Sequence, residues 1–220
     1  MTDFLYPFLE AGERDEERLL ADLAASARAK AADSAALRRD TLEANRDLLG
    51  AAAAHLAARF AAGGRLFAFG NGGSSTDAAT LAELFARPAF GDALPAWSLT
   101  ADQAVLTALG NDLGFEAVFT RQLIARARPG DIAVAMSTSG TSRDLTAALG
   151  EARRRGMYTV GFAGYDGGAF AATDDVDACF VVRSQSVHRI QESQALLAYH
   201  LWARTHRHLS APGERDDDPA

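Results

Sequence analysis

The chain has 220 residues, of which 48% are hydrophobic, and this composition suits one globular domain with a full core. Its formal net charge is −7, so its electrostatics give no reason to expect nucleic acid or an anionic membrane as a partner. No apolar run reaches the roughly 18 residues needed to span a bilayer, and the sequence begins without a signal-peptide pattern.

Cysteine and lysine usage narrows the possible chemistry. Cys179 is the only cysteine, so no intrachain disulfide can form, which fits a cytoplasmic protein. Lys30 is the only lysine, and the absence of any Gly-Lys-Ser/Thr sequence excludes a P-loop nucleotide site. An enzyme that forms a Schiff base is also disfavoured, because Lys30 lies far in sequence from the turns described below. A bound phosphate would therefore meet backbone amides, hydroxyls or arginine.

The beginning of the chain predicts two helices. Residues 15–32 and 34–62 are rich in alanine, leucine and arginine, which favour helix. Leucines and Phe60 give the second helix a broad apolar stripe, and Gly63 ends it before the first strand. We expect residues 1–62 to form an N-terminal helical extension that serves in oligomerisation.

A strand that leads into a glycine turn and a helix comes next. Residues 66–69 are uniformly apolar, as in a strand that is covered on both faces. Gly70, Gly72 and Gly73 permit a tight turn and a close approach by a ligand. The free amides and dipole at the start of the next helix, which includes residues 78–87, form an anion site suited to phosphate. An ordinary strand–turn–helix corner is the alternative for a single turn of this kind.

The middle of the chain continues the alternation of strands and helices. Residues 96–100 predict a short strand, and residues 102–109 predict a helix that Gly110 closes. Asn111 and Asp112 are expected in the turn that follows this helix.

A second turn, rich in hydroxyl groups, follows a second apolar strand. Residues 131–136 predict the strand, residues 137–142 read Ser-Thr-Ser-Gly-Thr-Ser, and residues 143–155 predict the next helix. Hydroxyls around one glycine can surround an anion with side-chain and backbone donors together. Two such turns in one parallel sheet favour a ligand site, because ligands bind beyond the carboxyl ends of the strands.

The end of the chain completes the pattern. Strands are predicted over residues 157–163 and 176–182, and a final helix over residues 187–208. This alternation predicts an α/β fold, a doubly wound parallel sheet with right-handed crossovers. Residues 209–220 are acidic, and we expect them to form a disordered tail.

Five motifs resemble one known family, the SIS domain, which binds sugar phosphates. In the family's order and at nearly its spacing, the sequence contains GNGGSSTDA at 70–78, GND at 110–112, STSGTS at 137–142, GYDGG at 164–168 and RIQES at 189–193. We assign residues 63–208 to an SIS domain, for which the family implies a flavodoxin-like sandwich. Within the family the sequence is most similar to the phosphoheptose isomerases, which interconvert sedoheptulose 7-phosphate and a heptose 7-phosphate.

The resemblance implies which residues bind the substrate. The second turn is expected to hold the phosphate, and the first turn is expected to line the sugar. The substrate-binding residues carried over from the family's motifs are Asn71, Gly72, Gly73, Ser74, Asn111, Asp112, Ser137, Thr138, Ser139, Ser142 and Gln191.

The first catalytic candidate is a glutamate. Aldose–ketose isomerisation moves a proton between C1 and C2 through an enediol and needs a base near each carbon. The resemblance implies a glutamate on the helix after the first turn. Its position falls on Leu84 when counted from GNGGS and on Glu83 when counted back from GND. One residue rotates a helical side chain by about 100°, so Glu83 is either the base or a carboxylate that points partly away.

The resemblance also implies a histidine on the last helix. Its position falls on Tyr199, next to His200, and His200 lies on roughly the opposite side of the helix from Gln191. His188 lies nearer the Gln191 side. His200 and His188 are therefore the candidates for the second proton, while Tyr199 serves as a weak acid or fills the site.

Zinc binds to some members of the family, with a further histidine and a glutamine among its ligands. That histidine position falls on Thr80, so a carboxylate and Gln191 would form a thin ligand set. We expect no metal and no other cofactor.

Two other functions stay open. The family contains a non-catalytic relative that partners the replication initiator, and residues 99–112 are similar to it. That relative also lacks the full catalytic set, so binding without catalysis is a serious alternative. A different sugar-phosphate enzyme with the same pocket is the third interpretation. The expected partners are a sugar phosphate and further copies of the chain, in the homotetramer that the resemblance implies, with no nucleic acid and no membrane.

Overall fold

The computed structural model describes residues 16–210, and their side chains from residue 18 onward. Residues 211–220 of the predicted acidic tail lie outside the described residues. Within this range no helix has the length and apolarity needed to cross a membrane. The elements in chain order are α1 (Glu16–Ala44), α2 (Arg46–Ala61), β1 (Leu66–Gly70), α3 (Gly73–Ala86), β2 (Ala96–Ser98), α4 (Gln103–Leu113), a 3₁₀ turn (Phe115–Ala117), α5 (Val118–Arg126), β3 (Ile132–Met136), α6 (Arg143–Arg154), β4 (Tyr158–Gly164), α7 (Gly168–Ala171), β5 (Ala178–Val182) and α8 (Val187–Leu209).

The strands form a parallel sheet in the order β2–β1–β3–β4–β5. β1 lies between β2 and β3, so the strand order reverses there, as in doubly wound folds of the flavodoxin type. β1, β3 and β4 are buried at every position because helices cover both faces of the sheet. The predicted α/β fold with a doubly wound parallel sheet is therefore confirmed.

A hydrophobic core lies on each face of the sheet. On one face α2, α3 and α8 bury large side chains such as Leu56, Phe85 and Trp202. On the other face α5 and α6 bury Phe119 and Leu149. α2 thus packs into the same core as the sheet. The predicted division into N-terminal helices, residues 1–62, and an SIS domain, residues 63–208, stays a prediction.

The predicted helix boundary near Asp33 is wrong. α1 continues through this position, and the break falls at Asn45. The buried Asn45 amide donates to the carbonyl of Thr41 at 2.8 Å and to that of Val181 in β5 at 3.4 Å. Side-chain hydrogen bonds to the backbone compete with helical ones, so the chain breaks where Asn45 is anchored to the sheet.

The predicted helix end at Gly110 is also wrong. α4 continues through Gly110 to Leu113, and the chain turns at Gly114, whose φ is 91°. A glycine inside a helix costs only about 1 kcal/mol, whereas a turn with a positive φ requires one. Asn111 and Asp112 therefore lie in the last turn of α4 rather than in a loop.

Candidate active site

The two predicted turns lie side by side at the carboxyl end of the sheet. They are the first turn, residues 71–73 after β1, and the second turn, residues 137–142 after β3. Gly70 at the end of β1 pairs in register with Met136 at the end of β3. A Cβ on Gly70 would lie 2.7 Å from the Met136 carbonyl oxygen and 2.6 Å from that of Ser74, so only glycine fits. The turns therefore share one edge of the sheet, as the sequence predicts.

The second turn presents hydroxyls at the N-terminus of α6. The buried Ser137 hydroxyl accepts from the Gly140 amide at 3.0 Å and shapes the turn. Ser139 Oγ accepts from the Thr141 hydroxyl at 3.0 Å, so its own proton is available to a ligand. Ser142 is the N-cap residue of α6, and its side chain makes no cap hydrogen bond. Hydroxyl donors and the positive end of a helix thus combine in one turn.

The glycines of the GYDGG motif support the second turn. The Gly164 amide at the end of β4 donates to the Thr138 carbonyl at 2.9 Å. Gly168, with a φ of 54°, packs so closely on the Ser139 carbonyl that a Cβ would collide with it. This motif therefore holds the second turn in place.

A side-chain hydrogen bond joins the first turn to the helix that follows the second. Asn71 Nδ2 donates to Asp144 Oδ2 at 2.8 Å, and Asp144 is buried in the first turn of α6. Hydrogen bonds to a carboxylate are among the stronger ones in proteins. Asn71, a predicted substrate-binding residue, thus positions the two turns relative to each other. The sequence analysis does not identify Asp144, whose partner lies 73 residues away.

The start of α8 crosses both turns. Gln191 Nε2 donates to Asp77 Oδ2 at 3.3 Å and lies against Gly73, where an added Cβ would come within 2.4 Å of it. Gln194, one turn further on and fully buried, donates to the Ser137 carbonyl at 2.7 Å. The two glutamines lie three residues apart on one face of α8, so this helix fixes the first and second turns together.

Asp77 is a carboxylate that the structure adds to the predicted site residues. It is partly buried and lies one turn after Gly73 on α3. Burial raises the pKa of Asp77 above its ordinary value, and the hydrogen bond from Gln191 lowers the pKa in part. A carboxylate with a raised pKa takes up a proton more readily than an ordinary aspartate does, which suits a general base. The spacing of four residues from Gly73, which places both on one face of α3, is a signal that the sequence carries.

Glu83 lies on the open face of α3, away from Gln191. Its side chain is 55% exposed and pairs with Arg87 at 2.7 Å. It borders an open groove that Thr76 and Thr80 also line. The family's glutamate position falls on Leu84 when counted from the first turn and on Glu83 when counted back from GND, and both positions lie within α3. The catalytic role of Glu83 stays a prediction.

The candidate histidines lie on two different parts of α8. His200 borders a groove that Arg39 of α1 and Arg204 also line, on the side of α8 that faces α1. Burial, with a smaller contribution from the Arg204 charge, lowers the pKa of His200. His188 is exposed in the first turn of α8, and Tyr199 is 46% exposed. The catalytic roles of His200 and His188 also stay predictions.

Asn111 and Asp112 are exposed and bonded to each other, with Asn111 Nδ2 donating to Asp112 Oδ1 at 2.7 Å. α4, which carries them, packs mainly on α5 and on the 3₁₀ turn. The other predicted substrate-binding residues lie on the two turns and at the start of α8. A role for Asn111 and Asp112 in substrate binding stays a prediction.

The donor atoms near the turns do not fit zinc. Among residues 18–210, no three His, Cys, Asp or Glu side chains come together. The Thr80 hydroxyl donates to the Thr76 carbonyl at 2.9 Å, and the Gln191 amide is bonded to Asp77. A catalytic zinc site takes three protein ligands, so we assign no step to a metal.

Comparison with known proteins places the chain in one family. The model of the SIS domain matches residues 31–164. A phosphoheptose isomerase of Roseiflexus sp. is 42% identical over 167 residues, which cover 74% of this chain and 83% of that protein. A phosphoheptose isomerase of Desulfovibrio desulfuricans is 47% identical over 146 residues, which cover 66% of this chain and 70% of that protein.

Solved structures agree with this similarity. The phosphoheptose isomerase of Neisseria gonorrhoeae matches with a TM-score of 0.76 and 33% identity, covering 82% of this chain and 97% of that one. The phosphoheptose isomerase of Francisella tularensis matches with a TM-score of 0.79 and 26% identity, covering 84% of this chain and 98% of that one. The chain therefore belongs to the phosphoheptose isomerase family of SIS-domain proteins.

Proposed function

We propose that this chain is a sugar-phosphate isomerase that interconverts sedoheptulose 7-phosphate and a heptose 7-phosphate. The observation that carries the proposal is that the first turn, the second turn, Asp77 and Gln191 meet at the carboxyl end of the sheet. This is where α/β folds of this type bind ligands. Similarity to phosphoheptose isomerases at 42% and 47% identity supports the same reaction.

We assign the substrate phosphate to the second turn. Ser139 has a hydroxyl proton available for the phosphate. Ser142 is the N-cap residue of α6, and its side chain makes no cap hydrogen bond. Backbone amides at the start of α6 add to the attraction. The first turn, with Asn71 held by Asp144, would then line the sugar. The phosphate-binding residues we assign are Ser137, Thr138, Ser139 and Ser142.

Asp77 is our candidate for the group that moves the proton between C1 and C2. It stands beside the first turn, whereas Glu83 lies six residues further on, or about 9 Å along the helix axis. Burial raises the pKa of Asp77, which favours proton uptake by its carboxylate. Gln191 uses one amide proton to hold Asp77 and keeps the other for a sugar hydroxyl.

Isotope exchange tests the proposed reaction. The protein is incubated with sedoheptulose 7-phosphate in deuterated water, and the C1 protons are followed by NMR. Enediol formation would replace hydrogen by deuterium at C1, and an aldose would accumulate beside the ketose. Tight binding without exchange would contradict the isomerase and would establish the second candidate function, described next.

Sugar-phosphate binding without turnover is the second candidate function. The observation that favours it is that Glu83 is exposed and paired with Arg87, while Tyr199 occupies the position of the histidine that the family resemblance implies. The two turns would still bind a sugar phosphate in that case. Calorimetry and isotope exchange on one preparation therefore separate the two functions.

The substitution Ser139→Ala is expected to weaken binding of sedoheptulose 7-phosphate about 10- to 150-fold. The reason is the loss of one hydrogen bond to a charged phosphate, which is worth about 1.5–3 kcal/mol. Isothermal titration calorimetry measures the change in Kd. Thr146→Ala is the matched control, because it removes a hydroxyl from α6 one turn after Ser142. This variant should bind sedoheptulose 7-phosphate like the parent. Equal Kd values for Ser139→Ala and the parent would refute the phosphate assignment.

We further propose that the chain forms a homotetramer through its N-terminal helices. Residues 20–33 of α1 are exposed on every side of the helix, and Leu20 and Leu23 are 58% and 45% exposed. A long helix gains most of its stability from packing, and closed symmetric assemblies are the usual way to supply it. In such an assembly Asn111 and Asp112 would contribute to the site of a neighbouring copy.

Sedimentation velocity tests the assembly. The parent is expected to sediment at about four times the chain mass of 23.3 kDa. The double substitution Leu20→Glu and Leu23→Glu is expected to shift the protein to smaller species, because it places charge in the apolar contact. Ile124→Glu, at a partly exposed aliphatic position on α5, is the control and should leave the mass unchanged. A parent that sediments as a monomer would rule the tetramer out.

Two other assignments stay proposals. The division into N-terminal helices, residues 1–62, and an SIS domain, residues 63–208, rests on the glycines before β1. A cytoplasmic location rests on the single cysteine. Burial raises the pKa of Cys179 to about 11, so its thiol stays protonated and inert at neutral pH.

A further inference from the structure

A second cavity lies at the opposite edge of the sheet, where the strands begin. It has a volume of about 340 Å³ and lies between the end of α2 and the segments that lead into β1 and β3. These strands have five residues each, so about 15 Å separates this cavity from the two turns. The charged and titratable residues that line it are His55, Arg59, Arg65, Arg128 and Asp131.

The charges around this cavity favour an anion. Asp131 is 2% exposed and accepts from Arg65 Nη2 at 2.7 Å and from the Arg128 backbone amide at 2.8 Å. Its charge is therefore compensated inside the protein. Arg59 and Arg128 belong to none of the ion pairs within the described part of the chain. Two guanidinium groups are thus left without a carboxylate at the rim of one cavity.

Arg59 is held in position by its neighbours. Its guanidinium lies 5.4 Å from the centre of the Tyr158 ring, and Nη1 donates to the Gly156 carbonyl at 3.3 Å. The His55 ring stacks with the Tyr158 ring at 5.0 Å. Burial raises the pKa of Tyr158 to about 12, so this phenol adds no negative charge at neutral pH. A guanidinium that is already positioned loses less freedom when a ligand binds.

We propose that this cavity binds a small phosphorylated anion at a site separate from the active site. Arg59 and Arg128 offer the paired N–H groups that match phosphate oxygens, and Arg65 and His55 add further donors. The cavity volume of about 340 Å³ lies within the range of small-molecule sites. The chain carries a net charge of −7, so this concentration of arginine is a local feature.

Pyrophosphate is the probe for this site. Isothermal titration calorimetry is performed with sedoheptulose 7-phosphate at saturation, so that the active site is filled. The parent is expected to bind pyrophosphate, and Arg59→Ala and Arg128→Ala are each expected to weaken that binding about 10-fold or more. Arg121→Ala removes an exposed arginine of α5 outside the cavity and should bind pyrophosphate like the parent.

The same variants locate the effect. Arg59→Ala and Arg128→Ala should bind sedoheptulose 7-phosphate as tightly as the parent, because the two sites lie at opposite ends of the strands. No pyrophosphate binding by the parent, or equal affinity in all the arginine variants, would overturn the proposal. Loss of pyrophosphate binding in Ser139→Ala but not in the arginine variants would also overturn it. The Arg128 side chain is exposed, so Arg128→Ala should keep the fold, and circular dichroism checks this.

Discussion

Replacing Asp77 by asparagine is expected to slow deuterium exchange at C1 of sedoheptulose 7-phosphate by about 10²–10⁴-fold. Asparagine keeps the shape of the side chain and an oxygen that can accept from Gln191, but it cannot take up a proton. NMR in deuterated water measures the exchange rate. Calorimetry on the same variant should show that substrate binding is preserved, so that the loss lies in the proton transfer.

Glu83→Gln is the matched control for Asp77→Asn. It removes a carboxylate from the same helix, at a position where the side chain is 55% exposed and pairs with Arg87. We expect the exchange rate of this variant to stay close to that of the parent. The opposite result, with exchange lost in Glu83→Gln and kept in Asp77→Asn, would make Glu83 the base and place the reaction in the groove along α3.

The pH dependence of exchange follows from the same carboxylate. Burial raises the pKa of Asp77, and the base must be ionised to remove a proton. Exchange in the parent should therefore be full above this raised pKa and should fall as the pH falls through it, at a higher pH than for an ordinary aspartate. In Asp77→Asn the residual exchange should lose this step.

Replacing Asp131 by alanine is expected to destabilise the protein by about 3–5 kcal/mol. The Asp131 side chain is 3% exposed, and the Arg65 side chain that it pairs with is 24% exposed. Its loss would leave a largely buried guanidinium without its carboxylate and the Arg65 and Arg128 backbone amides without their acceptor. Urea unfolding followed by circular dichroism measures the change in the free energy of unfolding.

Glu192→Ala serves as the control for Asp131→Ala. Glu192 pairs with Arg38 at 2.9 Å, but both side chains are 47% exposed, so water screens the pair. Exposed ion pairs contribute about 1 kcal/mol or less. Two variants with equally small losses of stability would contradict the view that burial gives the Arg65–Asp131 pair its importance.

The sequence predicts best the parts of the fold that local pattern determines. β1 and β3 are buried at every position, so their uniformly apolar sequences are sufficient to identify them. The glycines and hydroxyls that follow each strand identify the two turns. Helical periodicity also predicts that His200 and Gln191 lie on opposite sides of the last helix. In the structure His200 lies on the side of α8 that faces α1.

The parts that the sequence misses depend on contacts between distant residues. Asn45 breaks the N-terminal helices because it bonds to Val181, 136 residues away. Asp77 belongs to the candidate site because Gln191, 114 residues away, donates to it. An aspartate or asparagine within a helical sequence does not show which distant residue it will contact. These partners are therefore visible only in the folded protein.

The docking of α8 links the packing of the core to the assembly of the binding site. α8 covers α2 and supplies Gln191 and Gln194 to the two turns. A folding chain therefore exposes the apolar side chains of α2, including Leu49 and Leu56, until α8 has docked on them. The same event buries this surface and completes the binding site. A molecule in which α8 has not docked is thus both unable to bind its ligand and prone to aggregate.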